Sequence, residues 1–437
     1  MRVLITLPPD TSHLNPVLPL AWALRGAGHE VRVASHSALT DEIVAAGLSA
    51  VSLRGAEALP PIESVADFIA GDEEREELTN ALALDPADRA PWDFFSYYLI
   101  AALRIFHPPD FDPDHAHPMA DDLMEFVQHW RPDVVVWDPI WLSGGIAARA
   151  CGAASVRLMW GPDYCGWTYE RFDERRAVLP PGVTNPMEAC ARPLAERYGL
   201  EMDETMLLGH VTIDPIPAEV RLSTRQRTVA MRQLPSTGGG GVVPPWLRTE
   251  PDRPRIAFSL GAAQRKYEQD DASMIATMLD AFAGMDVEVV ATLNADQLAG
   301  QQVPKNVHTV DYIPLDHLLP TCSMIIHHGG GGTYTVGAAL QVPQVVLAVD
   351  PESGPYARRI TGVGAGLYVD PAVLSVAEIR SRLQQVLTES SFREGAAALH
   401  ADWQAEPSPN EVVRTLEQLA ANIPEPSGAG LLEGATR

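Results

Sequence analysis

The chain has 437 residues, too long for one core of ordinary size, so two or more domains are expected. Apolar residues make up 46% and charged residues 20%, as in ordinary globular proteins, and a formal net charge of −25 argues against non-specific nucleic-acid binding and docking on an anionic membrane. Four scattered cysteines (Cys151, Cys165, Cys190 and Cys322) form no disulfide framework and no metal spacing, which fits a reducing, cytoplasmic setting.

Taken in order, the apolar run from Met1 to Leu7 is too short for a signal peptide or a membrane span and reads as a first β-strand. Pro8 to Ser12 reads as a loop. From about Asn15 to Ala27, Val17, Leu18, Leu20, Ala21 and Leu24 recur at helical spacing. A strand from His29 to Ala34, a short helix from Asp41 to Ala46 and a strand from Ala50 to Leu53 follow, the rhythm of a doubly wound parallel sheet. Residues 60–130 break it. Asp72 to Glu77 reads as a solvated helix face and Trp92 to Phe106 as an apolar, aromatic helix, together a helical insertion suited to a lid, an acceptor wall or a protein contact. The sheet resumes at Asp133 to Asp138, followed by a small-residue helix (Ser143 to Ala150), a strand (Ser155 to Leu158), a helical, polar stretch (161–210) and a short strand at Val220 to Leu222.

Leu234 to Gly241 and Pro244-Pro245 have the density of Gly and Pro that marks a linker. A second α/β series follows, with strands at Arg255–Leu260, Val287–Thr292, Val307–Val310, Ser323–Ile326, Val345–Ala348 and Gly366–Tyr368, and helices at Val376–Leu387 and Glu411–Ala421. The expected organisation is therefore a Rossmann-like domain over 1–230, a linker over 231–254, a second domain over 255–405, a helix over 406–423 returning to the first domain, and a disordered Gly/Ala/Pro-rich tail over 424–437. Two such domains would face each other across a cleft, and ligands of open α/β sheets bind off the carboxyl ends of the strands.

Those strand ends carry the chemistry. Ile325-Ile326-His327-His328-Gly329-Gly330-Gly331-Gly332-Thr333 is a strand that stops at two histidines, four glycines and a helix start. Its backbone N–H groups, the helix dipole, and hydrogen-bond donors on both histidines and Thr333 would cradle a phosphate. A plain glycine turn would look the same. Ser259-Leu260-Gly261-Ala262 offers a hydroxyl and close backbone approach, Tyr312-Ile313 a stacking ring and backbone amides for a base, and Asp350-Pro351-Glu352-Ser353-Gly354 a carboxylate for sugar hydroxyls. Each is weak alone; their order of base loop, phosphate loop and carboxylate loop suggests a nucleotide-diphosphate-sugar site. In the first domain His13 lies in the loop at the helix entry, where the dipole favours the neutral, basic imidazole, and Asp138 ends a strand on the same sheet edge, so the two would form a base–orienter pair. The competing readings are a helix cap for His13 and a turn former before Pro139 for Asp138. No Gly-x-Gly-x-x-Gly follows the first strand, which counts against a dinucleotide dehydrogenase.

Ser12-His13-Leu14-Asn15-Pro16, Ser259-Leu260-Gly261, Val310-Asp311-Tyr312-Ile313-Pro314-Leu315 and His327-His328-Gly329-Gly330-x-Gly332-Thr333 occur in the order found in the family 1 glycosyltransferases of GT-B fold. Over residues 1–423 the chain most resembles the bacterial antibiotic glycosyltransferases that attach deoxysugars to macrolide or anthracycline aglycones, the desosaminyl- and mycaminosyl-type enzymes above all. Trp130-Arg131-Pro132-Asp133, Arg157 to Asp163, Thr212-Ile213-Asp214-Pro215 and Leu318 to Cys322 add to the resemblance. It implies a TDP-deoxyhexose donor, with His328 and the amides of Gly330, Gly331, Gly332 and Thr333 on the pyrophosphate and the Ile313 backbone on thymine. It implies inverting transfer in which His13 deprotonates an acceptor hydroxyl and Asp138 supports it. Glu352 and Ser353 stand where the family often has Asp-Thr or Asp-Gln, so the reading of the sugar hydroxyls departs from the family pattern. The resemblance implies no cofactor and no metal. Several members need an auxiliary protein resembling a cytochrome P450, for which residues 60–130 are the candidate surface; oligomeric state, a homodimer included, is left open. The rival readings are a sugar-nucleotide 2-epimerase, for which Glu352 lacks a clear carboxylate partner, and a non-catalytic nucleotide-sugar-binding activator, against which the His13–Asp138 pair stands.

Overall fold

The computed structural model of the chain describes residues 1–54, 68–235, 242–261, 272–347 and 353–422. Glu352, Ala262, the linker glycines 238–241, the start of the insertion and the tail from 424 lie outside the described residues. The chain forms two compact units. One comprises Met1–Pro215, Leu222–Met231 and Ser408–Arg437, the other Ile216–Arg221 and Arg232–Pro407.

The first unit is built on a parallel sheet in the order β3-β2-β1-β4-β5-β6-β7. Its strands are β1 (Arg2–Thr6), β2 (Glu30–His36), β3 (Ser49–Leu53), β4 (Val134–Trp137), β5 (Ala154–Leu158), β6 (Val211–Asp214) and β7 (Thr228–Ala230). Alternation along the strands divides the core between the two faces: Leu4 and Val135 join one cluster, Val3, Ile5, Val134 and Val136 the other. The helices Asp72–Leu82, Arg89–Phe94, Ile100–Phe106 and Pro118–Trp130 build up the first cluster, with a π-helical turn at Phe95–Leu99 inside the expected aromatic helix. The helix Pro409–Asn422 adds Val412, Val413 and Leu416 to the second cluster, beside Leu14, Val17 and Leu20 of the helix Thr11–Gly26.

Two local expectations are corrected. The first helix begins at Thr11, not near Asn15, because the Asp10 carboxylate accepts the backbone N–H of Ser12 at 2.8 Å and caps it; His13 is therefore in the first helical turn rather than in a loop. Val220 to Leu222 is not a strand. Pro215 and Pro217 cannot donate to a ladder, the Val220 N–H bonds the Pro217 carbonyl in a turn, and β7 lies at Thr228–Ala230 instead.

The second unit carries a parallel sheet in the order β10-β9-β8-β11-β12-β13. Its strands are β8 (Arg255–Ser259), β9 (Glu288–Thr292), β10 (Val307–Val310), β11 (Met324–His327), β12 (Gln344–Val346) and β13 (Gly366–Tyr368). In both sheets the chain starts in the middle, winds to one edge, then returns to the other side of its first strand. The reversal falls between β1 and β4 in the first sheet and between β8 and β11 in the second, and at such a point adjacent strand ends diverge and leave room for a ligand.

Candidate active site

At the first reversal Thr6 pairs with Trp137, so the segments that leave β1 and β4 run side by side. One leads to His13, the other to Asp138. The His13 Nδ1 lies 2.7 Å from Asp138 Oδ2. Asp138 is 4% exposed and its other oxygen accepts the backbone N–H of Ile140 at 3.0 Å and the indole N–H of Trp160 at 3.3 Å. The carboxylate thus forms the turn at Pro139 and holds the imidazole as well. With the proton on Nδ1 facing the carboxylate, Nε2 is the basic nitrogen. His13 does not cap its helix; Asp10 does.

Trp160 was not among the expected site residues. It follows β5, the strand beside β4, and its ring meets that of His13 edge-on at 5.1 Å between centroids. Its loop is tied down by Arg157, which is fully buried and donates to both carboxylate oxygens of Asp163 at 3.1 and 2.6 Å, and further to the Leu208 carbonyl and the Thr212 hydroxyl. Asp163 also accepts the N–H of Gly166 at 2.7 Å, capping the helix Tyr164–Arg175. The strand-end rule that singled out Asp138 applies equally to Trp160.

At the second reversal Ser259 pairs with His327. The next residues bring His328 against Gly261, where a Cβ would stand 2.5 Å from the imidazole Cε1 and where φ is +82°. Gly330 lies equally close to the His328 Nε2. The helix Gly331–Ala339 starts at an N-cap glycine with no side-chain cap, so the first-turn amides of Gly331, Gly332 and Thr333 have no intrahelical acceptor. An uncapped helix start beside an imidazole has the make-up of an anion site. Tyr356 places its hydroxyl on Gly331, Ser353 is buried against Gly329, and Gly332 is exposed with open space where a side chain would be. Tyr312 is 62% exposed while the Ile313 side chain is buried in the cluster that includes Val336 of the glycine helix, which sets their backbone near it.

One expected donor, His327, faces elsewhere. His327 is wholly buried; its Nδ1 accepts the Gly329 N–H at 3.1 Å and its Nε2 lies 3.0 Å from Gln344 Oε1, so it does not contribute a hydrogen bond to an anion at the loop. Burial pushes its pKa down to about 3. Ser259 is 5% exposed, and its hydroxyl oxygen accepts from Thr292 at 2.9 Å and from the Gly261 N–H at 3.4 Å, so it braces the strand end against the Gly261 turn. Burial raises the thiols as well, Cys151 to about 11 and Cys190 and Cys322 to about 12, which leaves none of the three as a thiolate nucleophile near neutral pH.

Residues 22–261 match the family described as erythromycin biosynthesis protein CIII-like, N-terminal domain, and residues 276–419 its C-terminal domain. The chain is 37% identical to the TDP-daunosamine transferase DnrS of Streptomyces peucetius, covering 99% of this chain and 100% of that protein. It is 38% identical to the 10-deoxymethynolide desosaminyltransferase of Streptomyces venezuelae, covering 98% and 99%. Among solved structures, the glycosyltransferase VinC in complex with dTDP superposes with a TM-score of 0.77 at 31% identity, covering 96% of this chain and 100% of that one.

Proposed function

This chain belongs to the erythromycin biosynthesis protein CIII-like family of TDP-deoxysugar glycosyltransferases with the GT-B fold, and from that premise we propose that it transfers a deoxyhexose from its TDP ester to a hydroxyl of a macrolide or anthracycline aglycone, inverting the anomeric carbon. The observation that carries the reaction type is the 2.7 Å contact between His13 Nδ1 and Asp138 Oδ2. His13 Nε2 takes the proton of the acceptor hydroxyl as its oxygen forms the bond to the anomeric carbon. The bond from that carbon to the TDP oxygen breaks, and TDP leaves with the electron pair. Asp138 keeps the proton on Nδ1 and offsets the charge of the imidazolium. One base is enough, because direct displacement forms no covalent intermediate on the protein.

On the donor side, His328 and the amides of Gly330, Gly331, Gly332 and Thr333 hold the pyrophosphate, whose charge grows as the bond breaks. Gly261 lets the His328 ring lie close to the backbone, the Ile313 backbone meets the thymine and Tyr312 stacks beside it. Ser353 and Glu352 border the sugar, and Ser259 supports the strand end. The names of two relatives support TDP as the nucleotide: a TDP-daunosamine transferase, and VinC with dTDP bound. A P450-like auxiliary protein would dock on the helical insertion. The test is mass spectrometry of the purified chain with a panel of TDP-deoxysugars and polyketide aglycones, with and without such a partner. A glycosylated aglycone that disappears in His13→Ala supports the proposal; turnover unchanged in that variant removes the base assignment.

A further inference from the structure

We infer that His327 and Gln344 form a buried relay that sets the backbone of the phosphate loop, which makes Gln344 a positioning residue for nucleotide binding. The inference rests on the reading of that loop as the TDP grip. Both side chains are wholly buried, one at the end of β11 and the other at the start of β12, and neither reaches the surface where a ligand would lie. The backbone N–H of Gly329 can only donate, so His327 Nδ1 accepts and its proton sits on Nε2. Nε2–H then donates to Gln344 Oε1, and the Gln344 amide donates to the carbonyl of Tyr334 at 3.2 Å. Every polar atom in the chain has a single consistent role. Its two ends are Gly329 and Tyr334, so the relay brackets Gly330 to Thr333, the residues whose amides remain for an anion.

The surroundings leave the relay little slack. Gly329 has φ +105° and is packed against Ser353 and Val346, so the turn is one that a side chain would strain. A Cβ at Gly337, one helical turn beyond Tyr334, would stand 2.6 Å from the Gln344 amide carbon. The depressed basicity of His327 keeps it neutral, as the relay requires. Backbone amides that bind a phosphate must be held within about 0.5 Å, and groups behind them that fix the backbone supply that precision.

The experiment is calorimetric titration of the full chain with TDP, joined to steady-state kinetics. Gln344→Leu keeps the volume and cuts the relay; we expect TDP to bind roughly tenfold more weakly, with the KM for acceptor unchanged. At position 327, Asn carries its amide oxygen where Nδ1 stood and keeps the Gly329 bond, while Leu keeps neither bond. His327→Asn should therefore hold TDP more tightly than His327→Leu, an order that a purely packing role does not give. TDP affinity equal to the unaltered chain in Gln344→Leu, alongside a loss in His328→Ala, overturns the relay and leaves the donor reading intact. Failure of the unaltered chain to bind TDP at all counts against the donor reading and against the relay with it. If Gln344→Leu does not fold, Gln344→Glu takes its place: it can accept from His327 but not donate to Tyr334, and unaltered affinity there overturns the relay equally.

Discussion

The indole of Trp160 meets the imidazole of His13 edge-on, with centroids 5.1 Å apart and planes at 72°, while its N–H reaches the carboxylate that holds the same imidazole. One side chain thus touches both members of the pair. Trp160→Phe retains the ring contact and removes the hydrogen bond. We expect kcat to fall roughly three- to tenfold with TDP affinity unchanged, measured by steady-state kinetics alongside titration of the nucleotide.

The base and its partner should fail in different ways. His13→Ala removes the proton acceptor and should lower kcat by about 10²–10⁴, while TDP still binds. Asp138→Asn turns an amide toward Nδ1; when that amide presents its NH₂, Nδ1 must accept, the proton moves to Nε2, and the basic nitrogen is lost. A loss of similar size, about 10²–10⁴ in kcat, is expected, with circular dichroism unchanged.

Gly330 and Gly332 should separate loop geometry from helix propensity. A side chain at 330 runs into the His328 ring, so Gly330→Ala should weaken TDP binding about tenfold. A side chain at 332 meets no protein atom, so Gly332→Ala should raise stability by about 0.5–1 kcal/mol in thermal or denaturant unfolding. A loss of TDP affinity in Gly332→Ala with a stable fold would place the nucleotide directly against that residue.

Arg157 and Asp163 are buried together, so removing one charge strands the other. Asp163→Ala should cost about 3–5 kcal/mol, read from the shift in the urea midpoint, and it should lower kcat as well, since the Trp160 loop depends on it.

Two buried histidines give the chain an acid-sensitive stability. Burial pushes His107, beside Ser143 in the first unit, and His327 in the second down to about 3. Each binds a proton in the unfolded chain below its ordinary value near 6.5 but not in the folded one, so unfolding takes up protons between about 6.5 and 3. Stability should be constant in these two groups above pH 7 and fall steadily as pH drops through that window. Denaturant unfolding at pH 7.5 and 5.0 checks this; equal midpoints at both would refute it.

Much of the architecture could be read from the sequence because buried parallel strands are short apolar runs bounded by turns, and their order alternates with helices. The doubly wound sheets were legible for that reason, and the transferase family through the motifs at the strand ends that resemble it, such as His327-His328-Gly329-Gly330. So was the pairing of His13 with Asp138, because both follow strand ends. What the residues after β5 do was less legible: Trp160 reaches His13 and Asp138 because β5 lies beside β4, a contact set by strand order rather than by sequence distance. His327 and His328 are neighbours in sequence, yet strand alternation sends one into the core and leaves the other at the loop. A glutamine in the apolar run Val342-Pro343-Gln344-Val345-Val346 is the signal that could have revealed the relay, since a polar side chain at a buried strand position demands a partner. The expected strand at Val220 failed because the N–H groups of Val220 and Arg221 both turn back onto the Pro217 carbonyl instead of a neighbouring strand.

The helix Pro409–Asn422 closes the second face of the first sheet, and Glu417 reaches His29, which in turn meets the amino group of Met1. During synthesis that face is therefore left uncovered while the entire second unit is made. At about 5–20 residues per second, the stripe of Leu14, Val17 and Leu20 waits roughly 20–80 s for Val412, Val413 and Leu416. The nascent first unit is an unfinished fold for the whole of that interval, open to chaperones and to its own neighbours on the polysome, until the helix Pro409–Asn422 emerges and ends its exposure.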